Sequence, residues 1–256
     1  MSEQLDWGQF AGIPVVSARP RAVIEWIANQ AQSPSRPGKH VHLLSGHGLI
    51  EIVRDREFEE VLTSADLVVP DGRWLEILTR RDRHPLQQLR GTDLFEGVIG
   101  ASAESGLKHF FFLPREEIFG DLSAALLTSF PGAKLTGSEE YPFGALTGNE
   151  KEALAARVRE SGADIVWLGI STPRQDKEAV WIAERTGTVV ICVGAAIEFT
   201  AGLRAVAPRW IQRAGFEWLF RFLSEPRRLW RRYLLGSFTF LRLLARHSHD
   251  RFARKR

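Results

Sequence analysis

With 256 residues, 44% of them hydrophobic and 10% aromatic, the chain can build a large core, in one main domain with an appendage. Its formal charge of +3 hides a division: Arg204 to Arg256 hold thirteen Arg, one Lys and three acids (Glu217, Glu225, Asp250), a net of +11, which leaves −8 on residues 1–203. The single cysteine, Cys192 in the apolar run VVICVG, excludes an internal disulfide and a cysteine-based metal cluster, and is expected to be buried and inert.

The amino-terminal run MSEQLDWGQFAGIPVVSARP has neither a basic n-region nor an apolar h-region, which points to the cytoplasm. Helical spacing follows over Arg21–Ala31, then a polar connection (Ser33–Lys39) and a short apolar strand, Val41–Leu44. The alternation continues with helix Asp55–Thr63, strand Leu67–Val69, helix Thr92–Ser105, strand Phe110–Leu113 and helices Ile118–Ser129 and Glu150–Ser161. Strand Ile165–Leu168, helix Gln175–Arg185 and strand Val189–Val193 complete it. Such alternation predicts an α/β fold, a Rossmann-like sandwich of a parallel sheet between helices, over residues 1–203.

Residues 204–256 read as a basic amphipathic helical appendage. Ile211, Gly215, Trp218 and Phe222 set one apolar face with Arg213 and Arg221 off it; Pro226 breaks the helix, and Arg228, Arg231 and Arg232 follow at i, i+3 and i+4. No apolar stretch approaches the ~20 residues of a spanning helix, since Arg231, Arg232 and Arg242 interrupt Leu229–Leu244. A tail of this kind predicts an anionic partner: a membrane surface, a nucleic acid, or the phosphates of a ligand bound by the body.

Small residues cluster after several strands, in SGHG (45–48), PDG (70–72), GISTP (169–173) and GAA (194–196). Ligands of open α/β sheets bind at the carboxyl ends of the strands, so these loops are expected to line one crevice. There is no GxxxxGK[ST], no GxGxxG after a strand, no Asp-x-Asp, and no metal-ligand spacing among the histidines. A phosphate-handling enzyme built this way, with no cofactor and no protein-held metal, would have to neutralise charge with arginine, whose fixed fork of donors grips phosphate bidentately.

The order and spacing of the blocks carry more than any one loop. GIPV (12–15), ADLVVPDG (65–72), GTDL (91–94), ADIVWLGISTPRQDK (163–177), GAAIEFTAG (194–202) and APRWIQRAGFEWLFRFLSEPRRLWRRY (207–233) resemble the WecG/TagA/CpsF family of bacterial glycosyltransferases over about Gly12 to Tyr233. That resemblance implies an inverting, metal-independent transfer of a hexose, hexosamine or uronic acid derivative from a UDP-sugar to a polyprenyl-diphosphate-linked sugar acceptor, in cell-envelope or exopolysaccharide assembly. It implies Asp71 as general base, since a carboxylate at a strand end can take the proton of an attacking hydroxyl.

By the same resemblance Gly169, Thr172, Pro173 and Gln175 approach the nucleotide-sugar, Gly194, Ala195 and Ala196 admit the diphosphate or nucleoside to backbone N–H groups, and Glu198, where the family has Asp, meets the uridine. Gly72 lies in the base turn. Thr92 and Asp93 suit either a helix N-cap or a ligand contact, and His47 either a structural hydrogen bond or substrate. Arg221, Arg228 and Arg231 are implied to stabilise the departing UDP, while the same appendage attaches to an anionic membrane on its inner face. Ser45 stands where the family has Asn, Gln88 where it has Arg, Pro114-Arg115 where it has Gly-Gly and Val206 where it has Arg, which points to altered sugar specificity. The alternatives are a non-catalytic nucleic-acid-binding protein, which leaves the acidic body unexplained, and a Rossmann oxidoreductase, which lacks its fingerprint. The expectation is no nucleic acid, with a homo-oligomer left open.

Overall fold

A computed structural model describes residues 5–33, 37–208, 210–211 and 215–224. An antiparallel hairpin, β1 (Trp7–Phe10) and β2 (Ile13–Val16), precedes a six-stranded sheet. Its members are β3 (Lys39–Leu44), β4 (Leu67–Pro70), β5 (Lys108–Leu113), β6 (Lys134–Glu140), β7 (Ile165–Leu168) and β8 (Val189–Cys192). All pair in parallel, in the order β4-β3-β8-β7-β5-β6.

Side-chain alternation along these strands divides the core between the two faces. Leu67, Val41, Ile191, Trp167 and Phe111 lie side by side across five strands and are fully buried. They pack under α1 (Pro20–Gln32), while α5 (Gly91–Ser105) and α6 (Ile118–Ser129) cover the same face. The opposite face carries α7 (Gly148–Glu160) and α8 (Arg174–Thr186) over Phe112, Leu168 and Cys192. Towards the β4 edge, the hairpin packs with α2 (Gly46–Arg54) and α3 (Arg56–Thr63) around Phe58 and Leu62. The sandwich expected from the alternation is therefore the fold.

Local chemistry sets the ends of these elements. Pro20 opens α1, where its missing N–H costs nothing, and Thr147 with Glu150 forms a reciprocal capping box at the start of α7. The α5 and α8 helices end on Gly106 and Gly187 in the left-handed region, at φ 72° and 69°. Over residues 1–203 every expected strand and helix is present within two residues of its expected ends; of the appendage helix expected before Pro226 the structure describes a helix over Glu217–Ser224, and the helix expected after Pro226 lies outside the described residues. Missing from the sequence reading are β1, β2 and β6, together with α2, α4 (Arg73–Thr79) and α9 (Ala196–Thr200). The β6 segment KLTGSEE is a half-exposed edge strand without an apolar run, and SGHG (45–48), expected as a loop, is the cap and first turn of α2.

A polar bond lies inside the core beneath α5. The Trp167 indole N–H donates to Nδ1 of His109 at 3.1 Å, and Trp167 also meets Phe95 edge-on with centroids 4.7 Å apart. Burial pushes the pKa of His109 down to about 3, because no anion there offsets the lost hydration of an imidazolium. Protonation would also place a hydrogen on the nitrogen that accepts from Trp167. The unfolded chain binds this proton near pH 6.5 and the folded chain does not, so stability is complete above that pH and falls progressively as pH drops from about 6.5 towards about 3. Urea unfolding of the wild type should show that slope, and His109→Phe should reduce it to the part left by His40, whose pKa burial pushes down to about 4.

Candidate active site

Four adjacent strands, β4, β3, β8 and β7, bring their carboxyl ends to one rim, and the loops singled out in the sequence leave from those ends. After β4 the chain turns at Asp71, whose N–H donates to the Leu44 carbonyl at the end of β3 (3.0 Å). The Asp71 carbonyl accepts from the Gln88 amide at 2.9 Å, and its Oδ1 accepts from the Gly91 N–H at 2.9 Å. Gly91 is the first residue of α5, so the carboxylate occupies the amino-terminal end of that helix, where orphan N–H groups favour negative charge. Asp71 thus serves as the acidic partner of α5 from twenty positions upstream.

Gly91 is itself wedged between β3 and the loop after β8. A Cβ there would lie 2.9 Å from Leu43 Cδ1, 3.5 Å from Ala196 Cβ and 3.6 Å from the Val193 carbonyl. Gly194 sits beside Gln175, whose Oε1 is 3.6 Å from where a Cβ on Gly194 would stand. Gln175 is 4% exposed; its Nε2 donates to Thr172 Oγ1 at 3.3 Å, and its Oε1 is buried without a hydrogen-bond partner among the described residues. Gly169 approaches Ile197 of α9 so closely that a Cβ would meet Ile197 Cδ1 at 2.6 Å. Asp71, Gly91, Gly194, Gln175 and Thr172 therefore form a continuous set along the rim.

Other candidates have protein partners of their own. Ser45 is the N-cap of α2, accepting from the Gly48 N–H at 3.3 Å, and Gly72 is the N-cap of α4. His47 faces Glu51 one turn along, at 3.7 Å. The α5 helix begins at Gly91 with Arg90 as N-cap, so neither Thr92 nor Asp93 is the cap; Asp93 accepts two bonds from Arg90, at 2.7 and 2.6 Å. Those bonds hold the Arg90 guanidinium above its ordinary pKa. Glu198 pairs with Arg204 at 2.8 Å, and Pro173 and Ala195 are the N-caps of α8 and α9.

The appendage meets this rim where it is described. Its helix α10 (Glu217–Ser224) carries Glu217, 4.0 Å from Arg90, and Gly215 lies against Arg73 and Trp74 of α4. Arg221 lies on the α10 backbone; Arg228 and Arg231 lie outside the described residues.

Two features went unread in the sequence. Gly46, Leu49, Gly72, Trp74, Leu75 and Leu78 line an apolar slot of about 50 Å³ beside the Asp71 turn. Beneath the rim, the fold gathers His42, Asp176 and Cys192, all fully buried, with ligand-type atoms within 4.8 Å of one another. Residues 134 positions apart give no local spacing, so the cluster had no signature. Both His42 nitrogens are in hydrogen bonds, Nδ1 to Asp176 Oδ1 and Nε2 to His40 Nδ1, each at 2.8 Å. Burial, with the Asp176 carboxylate beside it, pushes the Cys192 thiol pKa up, which leaves it an inert thiol.

A carboxylate held at a strand end beside a buried, open amide acceptor, with an arginine-rich segment meeting the same rim, is an arrangement suited to group transfer. Over residues 9–254 the chain matches the Glycosyl transferase WecG/TagA/CpsF family. The chain belongs to the WecG/TagA/CpsF glycosyltransferase family. It is 23% identical over 185 residues, 71% of this chain and 70% of the relative, to an N-acetylglucosaminyldiphosphoundecaprenol N-acetyl-beta-D-mannosaminyltransferase of Bacillus subtilis. A protein of the same description from Bacillus spizizenii is 25% identical over 190 residues, 72% of this chain and 70% of that one. This WecG/TagA/CpsF glycosyltransferase therefore places its PDG aspartate where Gly91 joins the β3, β4 and β8 loops. Gly91→Val should overpack that junction and lower stability by about 1–3 kcal/mol, measurable in urea, with glycosyl transfer reduced further than the folded fraction accounts for.

Proposed function

We propose that this glycosyltransferase moves a sugar from a UDP-sugar to a polyprenyl-diphosphate-linked sugar acceptor, with inversion, in one displacement. The observation that carries this reading is the Asp71 carboxylate, fixed at one oxygen by the Gly91 N–H and set on the rim shared with Gln175 and Gly194. The two Bacillus relatives are named for an N-acetylglucosaminyldiphosphoundecaprenol acceptor and the transfer of an N-acetyl-beta-D-mannosaminyl group, which supports a related donor and acceptor for this chain.

In the step itself, Asp71 takes the proton of the acceptor hydroxyl as that oxygen bonds to the anomeric carbon. The bond from that carbon to the β-phosphate oxygen breaks, and UDP leaves with its electron pair. Negative charge grows on the diphosphate, and Arg221, Arg228 and Arg231 neutralise it without a protein-held metal. The Gly194 and Ala196 N–H groups already donate to the Leu168 and Val193 carbonyls. Gln175, whose Oε1 is buried without a partner among the described residues, turns its amide towards the rim to receive a hydroxyl of the donor sugar. Ser45, His47 and Glu198 border the same crevice, and the Glu198–Arg204 pair opens when a ribose takes the carboxylate.

The appendage also rests on the inner face of the cell membrane, where the lipid-linked acceptor resides. Support comes from its charge and from Trp210, Phe216, Leu219 and Leu223, which are exposed beside it, as an interfacial segment requires. No helix among the described residues is long and apolar enough to cross a membrane.

Asp71→Asn keeps an acceptor for the Gly91 N–H, so the rim should retain its shape while the proton acceptor is lost. Turnover should fall by ~10²–10⁴-fold with UDP affinity nearly unchanged by calorimetry, and undiminished turnover would remove Asp71 from the role of base. Replacing Arg221, Arg228 and Arg231 by Gln in the full chain should lower both turnover and partitioning onto anionic liposomes. Full activity in that variant would separate the appendage from catalysis.

A further inference from the structure

Asp176 and His42 are an unusual pair to find in this core. Both are fully buried, 2.8 Å apart, between the sheet and α8 and among Cys192, Ala179 and Val190. A carboxylate withdrawn from water this far is costly, and an apolar pair of similar volume would serve packing at least as well. Its retention therefore asks for a use other than stability.

The hydrogen bonds define the geometry. A carboxylate only accepts, so His42 Nδ1 carries the proton that points to Asp176, and His42 Nε2 accepts from Nδ1–H of His40 at 2.8 Å. The backbone N–H of His40 donates to Asp66 Oδ2 at 3.0 Å, which holds His40 at the β3–β4 edge. Asp176 follows Gln175 directly in the first turn of α8. His42 is two residues before Leu44, whose carbonyl receives the Asp71 N–H at 3.0 Å. The pair thus ties the residue beside the open Gln175 amide to the strand end that carries the base.

We propose that the His42–Asp176 pair is a positioning device for transfer, holding the Gln175 amide in register with the Asp71 turn across the intervening strand β8. It rests on the reading of Asp71 and Gln175 given above. Neither His42 nor Asp176 touches substrate; each acts through its neighbour. A misplacement of about 1 Å at a reacting centre can cost ~100-fold in rate, which is the scale on which such a tie acts.

The test separates position from stability. The double variant His42→Leu/Asp176→Leu replaces the pair by apolar side chains, which usually leaves stability unchanged or raised. Its thermal midpoint, its UDP affinity by calorimetry and its kcat with UDP-N-acetylmannosamine and a short-chain polyprenyl-diphosphate N-acetylglucosamine are measured beside the wild type. The inference expects an unchanged or higher midpoint, UDP affinity within about twofold, and kcat lowered by ~10–100-fold. Asp176→Asn, whose amide oxygen still accepts from His42, is expected to recover most of the rate. Wild-type kcat in the stable double variant overturns the proposal, as does an Asp176→Asn protein as slow as the double variant. Should the double variant not fold, Asp176→Asn and Asp176→Ala decide the matter by the same comparison of kcat with UDP affinity. Asp71→Asn run in parallel distinguishes the two levels: if it too is fully active, the reading of Asp71 as base has failed, whereas an inactive Asp71→Asn beside a fully active double variant condemns the positioning role alone.

Discussion

The hydrogen bond from the Gly91 N–H to the Asp71 carboxylate is the constraint on which the site depends. It joins the turn after β4 to the first residue of α5, and α5 is one of the helices that bury the central face of the sheet. An acidic side chain at a helix start is favoured wherever orphan N–H groups point outwards. Here that ordinary stabilisation also fixes one carboxylate oxygen and leaves the group on the rim. Residue 91 is a glycine in a tight place, since a Cβ there would press on Leu43 Cδ1 of β3 at 2.9 Å and touch Ala196 and Val193 after β8. Fold and site are thus specified by one contact.

Around it, charge is distributed by function. The body is acidic and carries Asp71 on the rim; the appendage is basic and meets that rim through Glu217 near Arg90 and Gly215 against α4. An anionic leaving group and an anionic membrane both call for cations, and one arginine-rich segment can serve the two when the acceptor is itself bound to lipid.

Much of the sheet was legible in the sequence because parallel strands buried on both faces are short continuous apolar runs, as Ile165–Leu168 and Val189–Cys192 are. The edge strand β6 was not, since an edge needs no such run, and α2 escaped because its cap and first turn, Ser45 to Gly48, consist of small residues that also make loops. Asp71 and Gln175 were visible through the spacing of their blocks. The His42–Asp176 pair, 134 positions apart, was not visible because tertiary folding makes it and it leaves no local period, whereas Arg90–Asp93 and Glu198–Arg204, three and six positions apart, went unread although they are local. Departures at Ser45 and Gln88 are now placed physically: Ser45 still caps a helix, and Gln88 holds the carbonyl of the base turn.

The central claim is that Asp71 accepts the acceptor's proton in the transition state. It is tested most directly by the pH dependence of kcat/KM for the wild type and for Asp71→Asn, with a UDP-sugar and a soluble lipid-diphosphate acceptor. The wild type should lose rate on acidification along a limb of one proton, and the residual rate of the variant should show no such limb. The same acid limb in both proteins would contradict the account.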